Sequence, residues 1–465
     1  IRTSRVSFPG SFTAECARQH TLKILFTMPI DWETKLSASA RRRPTNALKE
    51  LCAPLLHKKG MVLLGGGLPS AQAFPFTKIS AEFTDGVKVS LSEGKGLLSA
   101  LQYNAGGVAP LREWASKLIA AKVKPLCEDW EVTLTAGSSD AIEKMFGLLV
   151  DEGDVVFTED HTYSAALSNI RGYGGVAWGV AADHEGVLPA AFEEEIERAK
   201  KQGKTIKALY VVPIGANPSG AVMSPGRCKE LYDIAKKHNL IVLEDCAYDW
   251  LQYTPDRKSK DVPGLRFGGF LPYDSDSRVI RLDTVSKFIA PGLRTGWLTG
   301  PKPFVRHFSK LSNLSTHCGS AISQSMVLSL LQQWGEEGLQ AHIEKLQRMY
   351  QTRRNIVADA FDQHLKGLAD WRVPDAGMFF WLRPKSLEAE KKDSRSLIPI
   401  LLKHNVLVVP GGIFKAEGSD APSPWLRLAF SYATDDDLKK GVEKLALVLK
   451  ESAVASEEKE KASSS

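Results

Sequence analysis

Short apolar runs alternate with an amphipathic segment in the middle of the chain. The runs ALYVVP (208–213), LIVLED (240–245) and RVIRLD (278–283) are short and continuous, which is typical of parallel strands covered on both faces. Between the first two, Leu231, Ile234 and Ala235 stand at helical spacing after a Ser-Pro start. This order predicts a βαβ unit in an α/β fold with parallel strands.

The pattern changes in the last third of the chain. A long amphipathic helical pattern (339–365) precedes short apolar runs at AGMFFWLR (376–383) and NVLVVPGG (405–412). We therefore predict a large α/β domain over residues 81–330 and a smaller α+β domain over 331–450, which the segment 28–80 joins. Residues 1–27 are expected to be a disordered extension or presequence, and the charged, Ser-rich residues 451–465 a disordered tail.

Composition narrows the classes of function. The 465 residues are 43% hydrophobic and 25% charged, and no apolar run reaches the length of a membrane span. A net charge of +6, spread along the chain, argues against nucleic acid and suits a small anionic ligand. The six cysteines lie far apart without CxxC spacing, so neither a disulfide framework nor a metal site is predicted. We expect a cytoplasmic protein, with a mitochondrial location as the alternative if residues 1–27 are a basic presequence.

Single polar residues follow several of the apolar runs. Asp245 closes one run, Asn217 follows ALYVVP, and Lys287 follows RVIRLD. In open parallel sheets, ligands bind beyond the carboxyl ends of the strands. These three side chains are therefore expected to meet at one edge of the sheet.

Two further segments suggest a phosphate site. Gly137, Ser138 and Ser139 directly precede a predicted helix, whose free N–H groups and dipole favour an anion, although such a sequence is also an ordinary helix cap. Arg294 follows Lys287 by seven positions and could hold a phosphate through two parallel hydrogen bonds.

Four motifs in order resemble one family. These are ANPSG (216–220), EDCAY (244–248), TVSK (284–287) and PGLRTGW (291–297). Over roughly residues 30–450 the chain resembles the class I/II aminotransferases of fold type I, which use pyridoxal 5'-phosphate. The resemblance implies an α/β fold whose large domain has a mostly parallel seven-stranded sheet between helices, with a smaller α+β domain. Each motif is weak alone, but all four at these separations are specific.

The resemblance implies a role for each matching residue. Lys287 would form the Schiff base with the cofactor, and Asp245 would face the pyridine nitrogen. Asn217 and Tyr248 would bind the ring oxygen, and Tyr163 would stack on the ring. The residues expected around the phosphate are Ser138, Ser139, Thr284, Ser286 and Arg294.

Two more residues extend this resemblance. Tyr103, in LQYNAGG, is similar to the tyrosine that reaches the phosphate of a neighbouring subunit, which implies a homodimer with shared sites. Arg427, in APSPWLR, is similar to the arginine that binds the substrate α-carboxylate. Without the resemblance, a core aromatic and a surface ion pair remain the alternatives.

The resemblance within the superfamily is strongest to the kynurenine/2-aminoadipate and fungal-type aromatic aminotransferases. Gly67, Phe379, Phe380 and Trp381 would line or shape the side-chain pocket, with Lys49 a candidate for a distal carboxylate. We therefore expect transfer of an amino group from phenylalanine, tyrosine, tryptophan or kynurenine to 2-oxoglutarate by a ping-pong mechanism. A preference for 2-aminoadipate and a lyase on the same fold are the alternatives.

A transcription regulator is disfavoured because no helix-turn-helix pattern precedes the fold.

Overall fold

The computed structural model describes residues 29–45, 69–92, 94–104, 106–416 and 422–463, together with positions 47, 51, 59, 60 and 67. Fifteen strands are found in these residues: β1 Lys78–Glu82, β2 Lys88–Ser92, β3 Trp130–Thr135, β4 Val155–Glu159, β5 Val176–Val180, β6 Ala182–Asp183, β7 Gly186–Val187, β8 Ile206–Val211, β9 Ile241–Asp245, β10 Val279–Thr284, β11 Gly296–Pro301, β12 Ala369–Trp371, β13 Phe379–Pro384, β14 Val409–Pro410 and β15 Leu426–Ala429.

Helices account for most of the remaining described chain. The α-helices are Trp32–Lys35, Ala38–Arg42, Lys95–Leu101, Ala109–Leu118, Ser138–Leu149, Ser164–Gly172, Pro189–Lys201, Pro225–Lys237, Lys302–Leu314, Ala321–His364, Lys385–Ala389, Ile398–Lys403 and Asp435–Ser463. None of the described helices combines the length and the apolarity needed to cross a membrane.

Seven strands form the central sheet, in the order β3-β11-β10-β9-β8-β4-β5. Strand β11 runs antiparallel to its neighbours β3 and β10, whereas the other pairs are parallel. This confirms the predicted fold class, an α/β fold with a mostly parallel seven-stranded sheet.

The predicted βαβ unit is present as β8, the helix Pro225–Lys237 and β9. The Ser224 hydroxyl caps this helix by accepting a hydrogen bond from the N–H of Arg227 at 3.2 Å. Successive residues of these strands belong to hydrophobic cores on opposite faces of the sheet. Tyr210 and Leu243 pack in the core on one face, and Leu209 and Val242 pack in the core on the other. Burial on both faces explains why these strands are continuous apolar runs.

A second, antiparallel sheet lies in the last third of the chain, in the order β12-β13-β15-β14. The long helix Ala321–His364 leads to it and is interrupted at Gly335, where φ is 59° and ψ is −164°. The predicted boundary at 330 therefore falls within this helix, and the division into domains stays a prediction.

Two segments near the ends of the described chain bear on the predicted bounds. Residues 29–45 contact helices of the large sheet: Trp32 packs on Phe304, and the Ser37 hydroxyl donates a hydrogen bond to the carbonyl of Gly147 at 2.9 Å. That the segment 28–80 joins the small domain stays a prediction. The last helix continues to Ser463, where composition predicts a disordered tail. Alanine, glutamate and lysine in this segment are strong helix formers, which explains the difference.

Candidate active site

The carboxyl ends of five strands meet at one edge of the central sheet. Strands β3, β4, β8, β9 and β10 end there, and the segments that follow them enclose a cavity of about 230 Å³. Its lining consists of Ser138, Ser139, Tyr163, Val212, Asn217, Asp245, Ala247, Tyr248, Thr284, Ser286, Lys287, Pro291, Arg294 and Phe379. Eleven of these fourteen residues are ones that the sequence predicts for the site.

One end of the cavity is built for an anion. The helix Ser138–Leu149 begins there with Ser138, whose hydroxyl is buried and has no hydrogen-bond partner in the described part of the chain. The hydroxyls of Thr284 and Ser286 lie 2.8 Å apart. Because free N–H groups and the helix dipole favour negative charge, this end suits a phosphate.

Arg294 is fixed against this anion site by its backbone and its guanidinium. Its φ of 45° is unusual for a residue with a side chain. The guanidinium donates to the carbonyls of Ala136 at 3.1 Å and Pro291 at 2.9 Å. A Cβ on Gly137 would lie 2.5 Å from Nη2 of Arg294, so only glycine fits there without displacing the guanidinium.

Asp245 lies on the floor of the cavity at the end of β9. The Tyr210 hydroxyl donates a hydrogen bond to Oδ2 at 3.1 Å, whereas Oδ1 is buried without a partner among the described residues. Burial raises the pKa of Asp245 to about 6, although Tyr210 and Lys287 oppose this rise. The free oxygen can therefore accept a proton or bind a cationic group at neutral pH.

Lys287 follows β10 and faces the same cavity. Its amine lies 5.9 Å from the centre of the Tyr248 ring. Burial lowers the pKa of Lys287; Asp245 opposes this effect and Arg294 adds to it. A lowered pKa makes the neutral, nucleophilic amine more accessible than that of a surface lysine.

Arg427, on β15 of the small sheet, contacts two residues that line the cavity. Its Nη1 donates to Oδ1 of Asn217 at 2.9 Å, and its guanidinium lies 4.4 Å from the centre of the Phe379 ring. The buried Nε has no hydrogen-bond partner in the described residues. The guanidinium thus retains hydrogen-bonding capacity beside two residues that line the cavity.

Some predicted residues lie elsewhere. Tyr103 is 65% exposed and packs on the ring of His317, outside the cavity of its own chain. Gly67 is exposed, with open space where its side chain would stand, and Lys49 lies outside the described residues. Of the described residues, Tyr103 and Gly67 therefore do not line the cavity of their own chain.

The predicted aromatic run is divided by the strand that carries it. Phe379 lines the cavity, but Phe380 packs in the core against Phe361 and Trp381 lines a different cavity. Successive side chains of a strand point to opposite faces, which explains why Phe380 leaves the cavity. Trp381 lies two positions beyond Phe379 and lines the other cavity, so the structure does not bring the three rings into one cavity.

Tyr210 is the polar contact that the sequence-based interpretation missed. It is fully buried in β8 and its hydroxyl contacts Asp245. A tyrosine in an otherwise apolar, doubly covered strand is the signal that could have identified it, because a buried hydroxyl needs a partner. Val212, Ala247 and Pro291 complete the lining without a comparable signal.

Comparison with known proteins agrees with this geometry. The family described as "Aminotransferase class I and II" matches residues 101–445. The mouse mitochondrial kynurenine/alpha-aminoadipate aminotransferase is 31% identical over 90% of this chain and 98% of its own. An aromatic amino acid aminotransferase of Schizosaccharomyces pombe is 30% identical over 83% of this chain and 90% of its own. The chain belongs to the class I and II aminotransferases.

Solved structures of aminotransferases share the fold. The aminotransferase Aro8 from Candida albicans aligns with a TM-score of 0.83 at 28% identity, over 92% of this chain and 99% of that one. A Pyrococcus horikoshii kynurenine aminotransferase, described in complex with PMP, aligns with a TM-score of 0.69 at 28% identity, over 90% and 98% of the two chains. This aminotransferase is therefore a transaminase that uses pyridoxal phosphate.

The residues of this aminotransferase fit that cofactor. The unpartnered Oδ1 of Asp245 would face the pyridine nitrogen, and the unpartnered hydroxyl of Ser138 would face the phosphate, with Arg294 beside it. Lys287 lines the same cavity and would bind the cofactor aldehyde. The unpartnered polar atoms of two lining residues, Ser138 and Asp245, would thus find partners in the cofactor.

Proposed function

We propose that this aminotransferase moves the amino group of an aromatic amino acid, namely phenylalanine, tyrosine, tryptophan or kynurenine, to 2-oxoglutarate by a ping-pong mechanism. The observation that carries the proposal is the single cavity that joins Lys287, Asp245 and the anion site at Arg294. A preference for 2-aminoadipate is the second candidate, because the mouse relative is named for both kynurenine and alpha-aminoadipate.

The roles of the residues follow from their positions. The cofactor, when bound, supplies an aldehyde that exchanges amino groups and a ring that accepts electrons. Lys287 has a lowered pKa and is the base that takes a proton from Cα of the donor. Asp245 would hold a proton at the ring nitrogen, and Asn217 and Tyr248 would bind the ring oxygen. Arg427 binds the α-carboxylate and thereby directs the Cα–H bond towards the Lys287 amine.

Aromatic donors suit the lining of the cavity. Phe379 lies edge-on to Tyr248, with ring centres 5.9 Å apart, and Tyr163 lines the same space. Within the described part of the chain, the lining cations are Lys287 and Arg294, and both have roles towards the cofactor. The acceptor 2-oxoglutarate carries a distal carboxylate as 2-aminoadipate does, so these cations do not separate the two classes of donor. Lys49 is the candidate for that carboxylate, and the aromatic lining is what supports an aromatic donor.

We also propose a homodimer with shared active sites. Tyr103 is exposed and lies beside His317 at a surface depression of about 500 Å³, away from the cavity of its own chain. An exposed tyrosine at such a place is suited to contact a second copy of the chain. Sedimentation of the holoenzyme measures the oligomeric state, and a monomer with full activity would contradict this arrangement. The location in the cytoplasm or in mitochondria stays a prediction.

The decisive experiment is a panel of donors offered with 2-oxoglutarate. We expect phenylalanine, tyrosine, tryptophan and kynurenine to yield glutamate and the matching 2-oxo acid in equal amounts. If 2-aminoadipate alone reacts, the aromatic assignment is wrong. Consumption of a donor without formation of glutamate would instead indicate a lyase.

Two neighbouring phenylalanines provide a matched pair of variants. Phe379→Leu removes an aromatic contact of roughly 0.5–1.5 kcal/mol and should lower kcat/KM for aromatic donors more than for 2-aminoadipate. Phe380→Leu, on the buried face of the same strand, should lower stability and leave donor preference unchanged. An equal change of preference in both variants would contradict the proposed role of Phe379.

A further inference from the structure

A buried lysine lies in the helix that begins at the anion site. Lys144 belongs to the helix Ser138–Leu149, whose first residue lines the cavity. The lysine is only 2% exposed, although it carries an ammonium group. Lysine is almost never fully buried unless its charge is paired. Lys144 does not line the cavity, so direct contact with the cofactor does not account for its burial.

Two short contacts hold the Lys144 ammonium. Its Nζ lies 2.6 Å from Oδ1 of Asp140, one turn earlier in the helix, and donates a hydrogen bond to the Thr316 hydroxyl at 2.6 Å. The Asp140 side chain is 14% exposed, so the ion pair is largely removed from water. Charges in such a place are screened much less than charges at the surface.

Asp140 connects this ion pair to the loop that forms the anion site. Its second oxygen, Oδ2, accepts a hydrogen bond from the N–H of Ala136 at 3.1 Å. The carbonyl of Ala136 accepts a hydrogen bond from Nη2 of Arg294 at 3.1 Å. A negatively charged carboxylate is therefore one residue away from the guanidinium that would bind the phosphate.

The segment that carries Thr316 also packs against Ala136. A Cβ on Gly319 would lie 3.3 Å from Cβ of Ala136, so the two residues are in close contact. Between these positions, Cys318 has a φ of 71° and its carbonyl accepts a hydrogen bond from the Gln324 side chain. The hydroxyl that contacts Lys144 thus comes from a segment that is itself fixed against the loop of the anion site.

We propose that Lys144 is a positioning residue for the phosphate of the cofactor. By pairing with Asp140 it cancels a negative charge that would repel the phosphate, and it holds the carboxylate that fixes the loop at Ala136. This inference rests on the proposed placement of the phosphate at Ser138 and Arg294. Without the ammonium, a carboxylate and a phosphate would repel each other where water is largely excluded.

A purely structural role is the alternative that an experiment must exclude. An acidic residue in the first turn and a lysine four positions later are both ordinary stabilisers of a helix. Pyridoxal has the ring and the aldehyde of the cofactor but no phosphate. The dissociation constant of pyridoxal divided by that of pyridoxal phosphate therefore measures what the phosphate contributes to binding, and we call this quotient the phosphate ratio.

Exchange of the bound cofactor of the holoenzyme against pyridoxal, followed to equilibrium by absorbance, gives the phosphate ratio. Lys144→Met should lower this ratio about tenfold, because the Asp140 charge is then uncompensated. An unchanged ratio would show that Lys144 acts on stability alone and would overturn the proposal.

Substitutions of Asp140 test whether charge is the cause. Asp140→Asn keeps an oxygen for the N–H of Ala136 and removes the negative charge. Added to Lys144→Met, it should return the phosphate ratio to within about threefold of the parent enzyme. Alone, it should raise the ratio several-fold, which tests the proposal even if Lys144→Met does not fold. A double variant as low as Lys144→Met, or a ratio that Asp140→Asn alone does not raise, would refute the electrostatic role.

Two control variants separate this inference from the proposed phosphate site. Lys207→Met breaks another buried pair, with Asp154 at 3.3 Å, near the start of β8 and hence at the sheet edge opposite the cavity. It should lower stability and leave the phosphate ratio unchanged. Arg294→Gln should lower the ratio, and if it does not, the proposed placement of the phosphate is wrong. If Arg294→Gln lowers the ratio and Lys144→Met does not, the role of Lys144 alone is wrong.

Discussion

The hydrogen bond from Tyr210 to Asp245 should set the pH range in which the cofactor binds. Both side chains are buried and the bond is 3.1 Å long. A hydrogen bond to a charged group contributes about 1.5–3 kcal/mol, and one pKa unit corresponds to about 1.4 kcal/mol. Tyr210→Phe should therefore raise the pKa of Asp245 by about 1–2 units, starting from about 6.

The direction in which affinity for the cofactor changes with pH follows from the charge of the bound ring. A protonated pyridine nitrogen requires the ionised form of Asp245, so affinity for pyridoxal phosphate falls as the pH drops through the pKa of that carboxyl. In Tyr210→Phe this fall should begin about 1–2 pH units higher than in the parent enzyme. The assay is a series of equilibrium titrations of the cofactor-free protein with pyridoxal phosphate between about pH 5 and pH 9, and the result is the midpoint of the affinity profile.

Tyr253→Phe is the matched control for losing a buried hydroxyl. Tyr253 is also fully buried, and its hydroxyl donates to the carbonyl of Gly377 rather than to Asp245. This variant should lose stability but keep the midpoint of the parent enzyme. If Tyr210→Phe also keeps that midpoint, Tyr210 does not tune Asp245 and the argument is refuted.

Three further predictions concern binding and stability. Arg427→Lys should raise KM for every amino donor by about 10- to 100-fold, and a loss confined to one donor in steady-state kinetics would contradict its role towards the α-carboxylate. Gly137→Ala should weaken pyridoxal phosphate binding about tenfold, because the new Cβ would press on Arg294; Gly292→Ala, which meets nothing within 4 Å, should leave the dissociation constant unchanged. Burial raises the pKa of Glu159 from 4.5 to about 8. The contribution of this carboxyl to the free energy of unfolding is therefore complete below the unfolded pKa of 4.5 and is lost as the pH rises through the folded pKa of about 8. Glu159→Gln should therefore raise the melting temperature relative to the parent more at about pH 9 than at about pH 5, and an equal difference at both would show that the carboxyl titrates normally.

The strands of the large sheet could be predicted because each is buried on both faces. β8, β9 and β10 are mainly apolar, because burial on two faces leaves a strand no position that faces solvent. The buried Arg281 of β10 is accommodated by ion pairs with Asp249 and Asp283. The residues at their carboxyl ends could be predicted to meet for the same reason, since parallel strands bring these ends to one edge. Asp245, Asn217 and Lys287 line one cavity as expected.

Contacts that depend on the pairing of distant segments could not be predicted. Phe379 and Phe380 are adjacent in the sequence, but the registry of β13 against β15 decides which of them faces the cavity. The contact of Arg427 with Asn217 joins positions 210 residues apart. The packing of residues 29–45 on the large sheet also depends on surfaces that form only when the chain is folded.

The sequence alone indicated the family, three central strands with the polar residues at their ends, and the lysine, aspartate and arginines of the site, because each of these is encoded in a short stretch of chain. Only the tertiary structure decided the order of the strands in the sheet, the contact of Tyr210 with Asp245, and the burial of Glu159 without a hydrogen-bond partner among the described residues. Burial and hydrogen-bond pairing are properties of the whole fold, since the groups that exclude water from a side chain come from every part of the sequence.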